Sequence, residues 1–260
     1  MKKYFVTVTI LLCTLAATAQ IKEGTIIYER KADLHRRMQD EQVKAMVPQF
    51  RTDKQQLFFK DNISVYKAVE EDEAPDPFDD GRGGSVMIKI GGPGEGGVLY
   101  KNFTTQQFFE QTSLGEKNYI IDDTIKAQAW KLADETKKIL GYACKKATLK
   151  TQMGNDVVAW YTEDIPLPIG PENFNGLPGA VLMMDVNNGE IVFTATEIKK
   201  DIDVKEMKGE HVVSANDVQR LDKKSFNAQQ LKGEHYMIVE DKPHFENISP
   251  LDDIFETIKR

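Results

Sequence analysis

Cysteine is scarce in this chain, which has only Cys13 and Cys144 among its 260 residues. This excludes a disulfide-rich scaffold, because small domains of that class need several bridges. Positive charge is in the minority as well, with 34 Lys and Arg against 41 Asp and Glu. Proteins that bind nucleic acid usually present a basic stripe to the phosphates, and none is visible here. We therefore expect no nucleic-acid partner.

The familiar catalytic and metal-binding motifs are also missing. The sequence has no Gly-x-Ser-x-Gly elbow, no His-Glu-x-x-His, no Cys-x-x-Cys and no Rossmann glycine fingerprint. Its four histidines are scattered, without a second His or a Cys at the spacing of metal ligands. Because the chain has 41 Asp and Glu residues, any catalytic pair of carboxylates chosen from the sequence alone would be arbitrary. We expect no cofactor and no metal, we name no catalytic residue, and we favour a protein that is not an enzyme.

Long hydrophobic runs are confined to the N-terminus. Lys2 and Lys3 precede the apolar stretch Tyr4–Leu15, and Ala17-Thr18-Ala19 has the small-x-small pattern of a cleavage site. The apolar stretch of about 12 residues is too short to span a bilayer, which needs roughly 20. Residues 1–19 are therefore predicted to be a signal peptide. The mature protein is expected to be periplasmic or secreted, or associated with the outer membrane, without a transmembrane segment.

Removal of the signal peptide leaves residues 20–260 with Cys144 as the only cysteine. This residue lies in an alternating, strand-like run, and free cysteines are often buried. We expect a small buried side chain rather than a reactive thiol.

Short β-branched and aromatic runs recur roughly every 8 to 12 residues, which is typical of an antiparallel all-β protein. A helix is predicted over 35–47, and loosely helical spacing favours a second over 214–231. The fold class is therefore mainly β (α+β), in one domain with one or two short helices. The predicted strands cover 24–33, 56–60, 63–69, 98–102, 106–111, 118–122, 130–132, 138–140, 142–151, 156–163, 180–186 and 190–199.

An unusual insert separates the third and fourth predicted strands. Residues 70–80 include seven acidic residues among eleven, and residues 81–97 include eight glycines among seventeen. We expect residues 70–97 to be an exposed, mobile insert, because few apolar side chains offset the entropy of ordering it. A calcium loop is not favoured, since Phe78 and Met87 occupy two positions where an EF-hand needs oxygen ligands.

Residues 164–179 (DIPLPIGPENFNGLPG) contain four prolines and three glycines. Prolines fix φ, and glycines permit close backbone approach, so this segment is predicted to be a rigid, shaped loop between two strands. Two roles stay open. The loop could form the rim of a pocket, or it could cover one end of the sheet with Phe174 and Leu177 as plugs.

This loop resembles the signature of the GLPGLI family of secreted bacterial proteins, with Ala180-Val181 in place of Leu-Ile. Trp130-Lys131-Leu132, Gly141-Tyr142 and Ala159-Trp160-Tyr161-Thr162 extend the resemblance over about residues 98–200, the family core. The family is similar to the bowl-like N-terminal domain of a type of peptide N-glycosidase, and more distantly to the half-barrels of lipoprotein carriers. The resemblance implies a single, strongly curved antiparallel sheet, and it supplies no catalytic residues.

The sequence thus favours an exported, non-catalytic binding or accessory protein of the cell envelope. An apolar or peptide-like ligand, or an envelope protein, would be held on the concave sheet face and the 164–179 loop. The alternative is a hydrolase that acts on glycans or peptides through carboxylates brought together by the fold. A purely structural envelope role is a third possibility. The predicted binding residues are Trp160, Tyr161, Pro171, Phe174, Gly176, Leu177, Pro178 and Gly179.

Overall fold

The computed structural model describes residues 20–69, 97–114, 117–202 and 218–222. Most of these residues form β-strands, as the β-branched and aromatic runs predict. The strands are β1 Glu23–Asp33, β2 Phe50–Lys60, β3 Ile63–Ala68, β4 Val98–Asn102, β5 Gln107–Leu114, β6 Lys117–Thr124, β7 Lys131–Ile139, β8 Tyr142–Lys150, β9 Asp156–Thr162, β10 Ala180–Val186, β11 Ile191–Lys199 and β12 Val218–Asp222.

All twelve strands belong to one sheet, in the order β12-β6-β5-β4-β3-β2-β1-β11-β10-β9-β8-β7. Every pairing among β1 to β11 is antiparallel, whereas β12 adds to β6 in parallel. Strands β7 and β12 stand at the two ends of this order, so the described sheet is open. The prediction of a mainly β fold built on one antiparallel sheet is confirmed.

The connection between β6 and β7 shows that the sheet is strongly curved. These two strands are ten positions apart in the sheet order, which corresponds to about 48 Å in a flat sheet. The chain joins Thr124 to Lys131 directly, and those seven steps reach at most about 25 Å when fully extended. The sheet must therefore curl until β6 and β7 approach each other, as in a nearly closed barrel.

Apolar side chains are buried on both faces of the central strands. Along β2, Leu57 and Phe59 belong to the main core, while Phe58 between them belongs to a second cluster with Tyr100 and Phe109. This division follows from the alternation of side chains along a strand. The main core extends along the sheet from β5 to β8 and also takes in the loop that joins β9 to β10.

The predicted helix over 35–47 is present as two shorter pieces, a 3-10 helix at Leu34–Arg37 and α1 at Glu41–Met46. Asp40 caps α1 by accepting hydrogen bonds from the backbone N–H groups of Gln42 and Val43.

The prediction of a helix over 214–231 is wrong for the residues of this range that the structure describes, because Val218–Asp222 forms strand β12. The apolar residues Val218 and Leu221 fit helical spacing only loosely, and five residues are too few to separate a helical from an extended pattern. Pairing with β6, a strand about a hundred residues earlier in the chain, decides the outcome. The other residues of this range lie outside the described part.

Two further predictions fall on residues that lie outside the described part: the signal peptide (1–19) and nearly all of the acidic and glycine-rich insert (70–96). Within the described ranges, no helix has the length and apolar character needed to cross a membrane.

Candidate functional site

The segment between β9 and β10, residues 163–179, lies against the main core and is called the plug loop below. Four of its side chains, Ile165, Leu167, Ile169 and Leu177, are buried in that core. The loop also pairs with itself through an isolated β-bridge between Ile169 and Asn175. Its role as a cover for the sheet is thus clear from its packing, and Leu177 is a plug as predicted.

Backbone geometry explains the glycines of the plug loop. A Cβ on Gly179 would lie 2.0 Å from the carbonyl oxygen of Thr162, so only glycine allows the loop to return this close to β9. Gly176 has a φ of +90°, in the region that favours glycine. Glu172 also has a positive φ, of 49°, although it is not a glycine, so its backbone conformation is maintained by its surroundings.

Those surroundings are a buried polar cluster, which lies where the plug loop meets strands β1 to β5. Its members are Arg30, Asp53, Gln55, Tyr66, Lys101, Glu110 and Glu172. Arg30 connects two carboxylates, with its Nη1 3.0 Å from Asp53 Oδ1 and its Nε 3.7 Å from Glu172 Oε1. One guanidinium therefore ties the plug loop to both β1 and β2.

Lys101 on β4 makes the second attachment. Its Nζ donates a hydrogen bond of 2.7 Å to the carbonyl oxygen of Glu172 and a longer one of 3.4 Å to that of Phe174. The side chain points inward because Lys101 shares a face of β4 with Leu99, a core residue. Beyond the end of the loop, the hydroxyl of Tyr28 on β1 donates a hydrogen bond of 2.6 Å to the carbonyl oxygen of Val181 in β10.

Burial shifts the titration of this cluster. Desolvation raises the pKa of Glu172 to about 7, against the opposing effect of the Arg30 cation. Desolvation lowers the pKa of Lys101 to about 7, and the carboxylate of Glu172 opposes it. Burial also raises the pKa of Tyr66. The Tyr66 hydroxyl and the Gln55 Oε1 atom are buried without a hydrogen-bond partner, so the cluster is incompletely satisfied.

A pair of aromatic side chains, called the aromatic pair below, consists of Trp130 and Phe174 of the plug loop, and both rings pack against the main core. The rings of Trp130 and Phe174 are half-buried, 6.3 Å apart and inclined at 56°. Trp130 Nε1 donates a hydrogen bond of 2.8 Å to the carbonyl oxygen of Asn175. Gln128 bonds the same stretch twice, since its Oε1 accepts from Asn175 N at 3.0 Å and its Nε2 donates to Asn173 O at 3.3 Å.

The structure gathers seven of the eight predicted binding residues in or beside the plug loop. Two of the seven, Gly176 and Pro178, are exposed. The other five are buried or half-buried: Tyr161, Pro171, Phe174, Leu177 and Gly179. Trp160 is the exception, because alternation along β9 turns it away from the face of Tyr161. On the face that Trp160 occupies, the Lys137 ammonium lies 4.2 Å from the centre of the Trp160 ring.

Four residues of this region were absent from the sequence-based set: Arg30, Lys101, Trp130 and Glu172. A signal existed for Lys101, since the alternation of Val98–Asn102 places this lysine on the same face as Leu99. Trp130 was noted as part of the family resemblance, and it packs against the main core. The pairing of Arg30 and Glu172 joins residues far apart in the chain, and no local pattern predicts it.

Cys144 is fully buried as a free thiol, as predicted. Burial raises its pKa to about 11, so the thiolate is scarce at neutral pH. Across the residues that the structure covers, no group of three or more His, Cys, Asp or Glu is arranged to hold a metal ion.

Comparison with known families gives one match. The family described as "N-glycanase peptide, N-terminal domain" matches residues 93–230, slightly more than half of the chain. The matched region contains β4 to β12, the plug loop and both members of the aromatic pair. No curated protein sequence matches this chain significantly.

Two solved structures of PNGF-II, in the P21 and C2 space groups, have a similar fold. Their TM-scores are 0.53 and 0.55, each at 18% sequence identity, and the matches cover 81% and 87% of this chain. The same matches cover only 33% and 35% of the PNGF-II chains, so this chain spans about a third of their length. The similarity in fold agrees with the expected resemblance to the bowl-like N-terminal domain of a peptide N-glycosidase.

Proposed function

This chain belongs to the family described as the N-glycanase peptide N-terminal domain, and from that premise we propose that it is an exported, non-catalytic binding or accessory protein of the cell envelope. Its ligand is a glycan-bearing peptide, held on the aromatic pair and the exposed tip of the plug loop. The peptide part corresponds to the peptide-like ligand favoured by the sequence. The glycan part is suggested by the N-glycanase in the family's description.

One observation carries the proposal: the plug loop is fixed by buried contacts, and two half-buried aromatic rings lie beside its exposed residues Gly176 and Pro178. Buried contacts from Arg30 and Lys101 fix it. A loop that is already ordered loses little entropy when it binds a ligand. Aromatic rings with a few polar groups beside them are typical of ligand sites, and carboxamides supply both donors and acceptors for sugar hydroxyls.

The side chains around the aromatic pair fit this chemistry. Gly176 leaves open space beside Trp130, because the nearest atom to a Cβ built on it is Trp130 Cδ1, 4.0 Å away. Pro178 is exposed next to it in the chain. A sugar ring that covers the aromatic pair would thus lie beside the open space at Gly176 and next to Pro178.

The alternative, a hydrolase, has one observation in its favour. Arg30 brings the carboxylates of Asp53 and Glu172 together, and a carboxyl group with a raised pKa suits a general acid. Glu172, however, is only 9% exposed, and its carboxylate faces Arg30 below the plug loop. This arrangement suits a structural attachment better than a group that must reach a substrate.

The test is equilibrium binding of three probes: a peptide with one N-linked glycan, the same peptide without the glycan, and the released glycan. We expect the glycopeptide to bind best. Phe174→Ala should weaken this binding about fivefold, as expected from the loss of an aromatic contact worth roughly 1 kcal/mol. Phe50→Ala is the matched control, because Phe50 is a 45% exposed aromatic residue at the far end of β2, and it should bind like the unaltered protein.

Equal binding by Phe174→Ala and the unaltered protein would refute the site, and failure of all three probes would refute the ligand class. Mass spectrometry of the recovered probes distinguishes the alternative. Release of the glycan or cleavage of the peptide, lost in Glu172→Gln, would establish a hydrolase instead.

A further inference from the structure

The part of the plug loop that carries half of the aromatic pair is attached to the sheet by charged groups. Lys101 bonds the carbonyl oxygens of residues 172 and 174. The carbonyl oxygen of Phe174 therefore contacts a buried ammonium group, and its ring lies beside that of Trp130. Any change in the hydrogen bonds of Lys101 is transmitted to Phe174 through its own main chain.

The charged groups that face Glu172 come from four neighbouring strands. Arg30 lies on β1, Asp53 on β2, Lys101 on β4 and Glu110 on β5, and Glu172 interacts electrostatically with all four. Tyr66 on β3 adds a buried hydroxyl that has no hydrogen-bond partner. Two cations thus face three carboxylates in a region of low exposure, where the loss or gain of one proton alters several contacts.

We propose that Lys101 and Glu172 form a protonation-dependent latch that positions Phe174 against Trp130 and thereby regulates the binding site on the plug loop. The latch rests on the proposed function for its biological purpose, although its operation is measurable without a ligand. Lys101 is a positioning residue here, since it contacts the main chain of the loop rather than the ligand surface.

The latch holds best when both groups are charged. A protonated Lys101 holds the two carbonyl oxygens with charged N–H donors, whereas the neutral amine keeps two N–H donors but loses the charge that strengthens these hydrogen bonds. An ionised Glu172 attracts Arg30, and this attraction is lost when the carboxyl takes up a proton. Burial moves the titration of both groups toward neutral pH. The two groups titrate as a coupled pair, so the loop should respond to pH on both sides of neutrality.

Trp130 provides the measurement, since the chain has only two tryptophans. In a Trp160→Phe background, the emission of Trp130 reports on its contacts with Phe174 and Asn175. We expect the emission of the folded full-length protein to change with a midpoint near pH 7. Lys101→Met and Glu172→Gln should each shift that midpoint, because each removes one member of the coupled pair and leaves the other to titrate alone, and the double variant should abolish it. Lys67→Met is the matched control, because Lys67 is a similarly buried lysine on the adjacent strand β3 that lies over Phe58, and it should retain the midpoint.

A midpoint that is unchanged in Glu172→Gln would overturn the latch, even if the variants of Lys101 fail to fold. A midpoint lost in Lys67→Met as well would overturn it too, since the response would then come from the whole sheet. Glycopeptide binding at several pH values separates the two proposals. Binding without the Trp130 midpoint refutes the latch alone, whereas the midpoint without glycopeptide binding refutes the proposed ligand alone.

Discussion

Lys101 Nζ donates a 2.7 Å hydrogen bond to the carbonyl oxygen of Glu172, 71 residues further along the chain. The lysine lies on β4, and the carbonyl belongs to the loop between β9 and β10. These elements are distant in the order of the sheet and meet only because the sheet is curved. The contact therefore depends on the overall fold, and through Phe174 it bears on the candidate binding surface.

The first prediction concerns the dependence of stability on pH. The pKa of Glu172 rises from an ordinary value of 4.5 to about 7 on folding, so between these pH values the folded protein holds a proton that the unfolded chain has lost. The free energy of unfolding should consequently fall as the pH rises from 4.5 to 7, by at most about 3 kcal/mol from this group. Urea unfolding at a series of pH values measures this.

Glu172→Gln is the variant that isolates this effect, because the amide cannot ionise. Its stability should fall less than that of the unaltered protein over the same interval. Parallel profiles for the two proteins would show that Glu172 does not titrate in the folded state as its burial implies.

The second prediction compares two leucines. Leu177 in the plug loop is 1% exposed, whereas Leu132 on β7 is 61% exposed. Leu177→Ala should lower the free energy of unfolding by about 2–5 kcal/mol, because it leaves a cavity in the core. Leu132→Ala should change it by less than about 0.5 kcal/mol. Denaturant unfolding of both variants checks the difference, and similar values would contradict the packing of the loop.

The outcome for Leu177 also limits how binding can be tested. A variant that loosens the core loses binding for reasons unrelated to the ligand surface. Phe174 is the better target for binding studies, since its ring is half-buried beside Trp130.

Local sequence patterns predicted the strands well where apolar residues alternate or cluster. The predicted bounds of 98–102 and 180–186 are those observed. Strand β2 was predicted only from residue 56, because its first half, from Phe50 to Gln55, is mostly polar. Strand β7 was predicted as two fragments, since its middle residues are exposed and its register shifts between Leu132 and Thr136. Extended pairing there is decided by neighbouring strands rather than by local preference.

The candidate site was predictable in part. Its prolines and glycines marked the plug loop as rigid, and the burial of Leu177 agrees with the plug that was expected. The buried polar cluster could not be found in the same way. Arg30, Lys101 and Glu172 come from two strands and a loop, and nothing in their local sequences indicates that a curved sheet brings their charges together.

The third prediction concerns Cys144. Its thiol is fully buried, and burial raises its pKa to about 11. The folded protein should therefore react with iodoacetamide at this residue at least a hundredfold more slowly than the chain unfolded in guanidinium chloride. Mass spectrometry of the peptide that contains Cys144 separates its labelling from that of Cys13. Rapid labelling of Cys144 under native conditions would contradict its burial and would indicate a reactive thiol.

The fourth prediction explains the last glycine of the plug loop. A Cβ on Gly179 would lie 2.0 Å from the carbonyl oxygen of Thr162 and 2.7 Å from its carbonyl carbon. Both atoms belong to the main chain at the end of β9, so no side-chain rotation can relieve the clash. Gly179→Ala should force the loop away from β9 and lower the thermal midpoint by many degrees, because a conflict this close displaces packed backbone.

Gly141→Ala is the matched control for Gly179→Ala. Gly141 has a φ of +86°, but a Cβ on it would meet no atom within 4 Å. The control therefore measures the strain of a positive φ, about 1–2 kcal/mol, whereas Gly179 has no positive φ, so the loss in Gly179→Ala measures the close approach of loop and strand. If the two variants melt together, the loop has room to move at Gly179. The attachment of Phe174 would then depend on Lys101 and Arg30 without help from this contact.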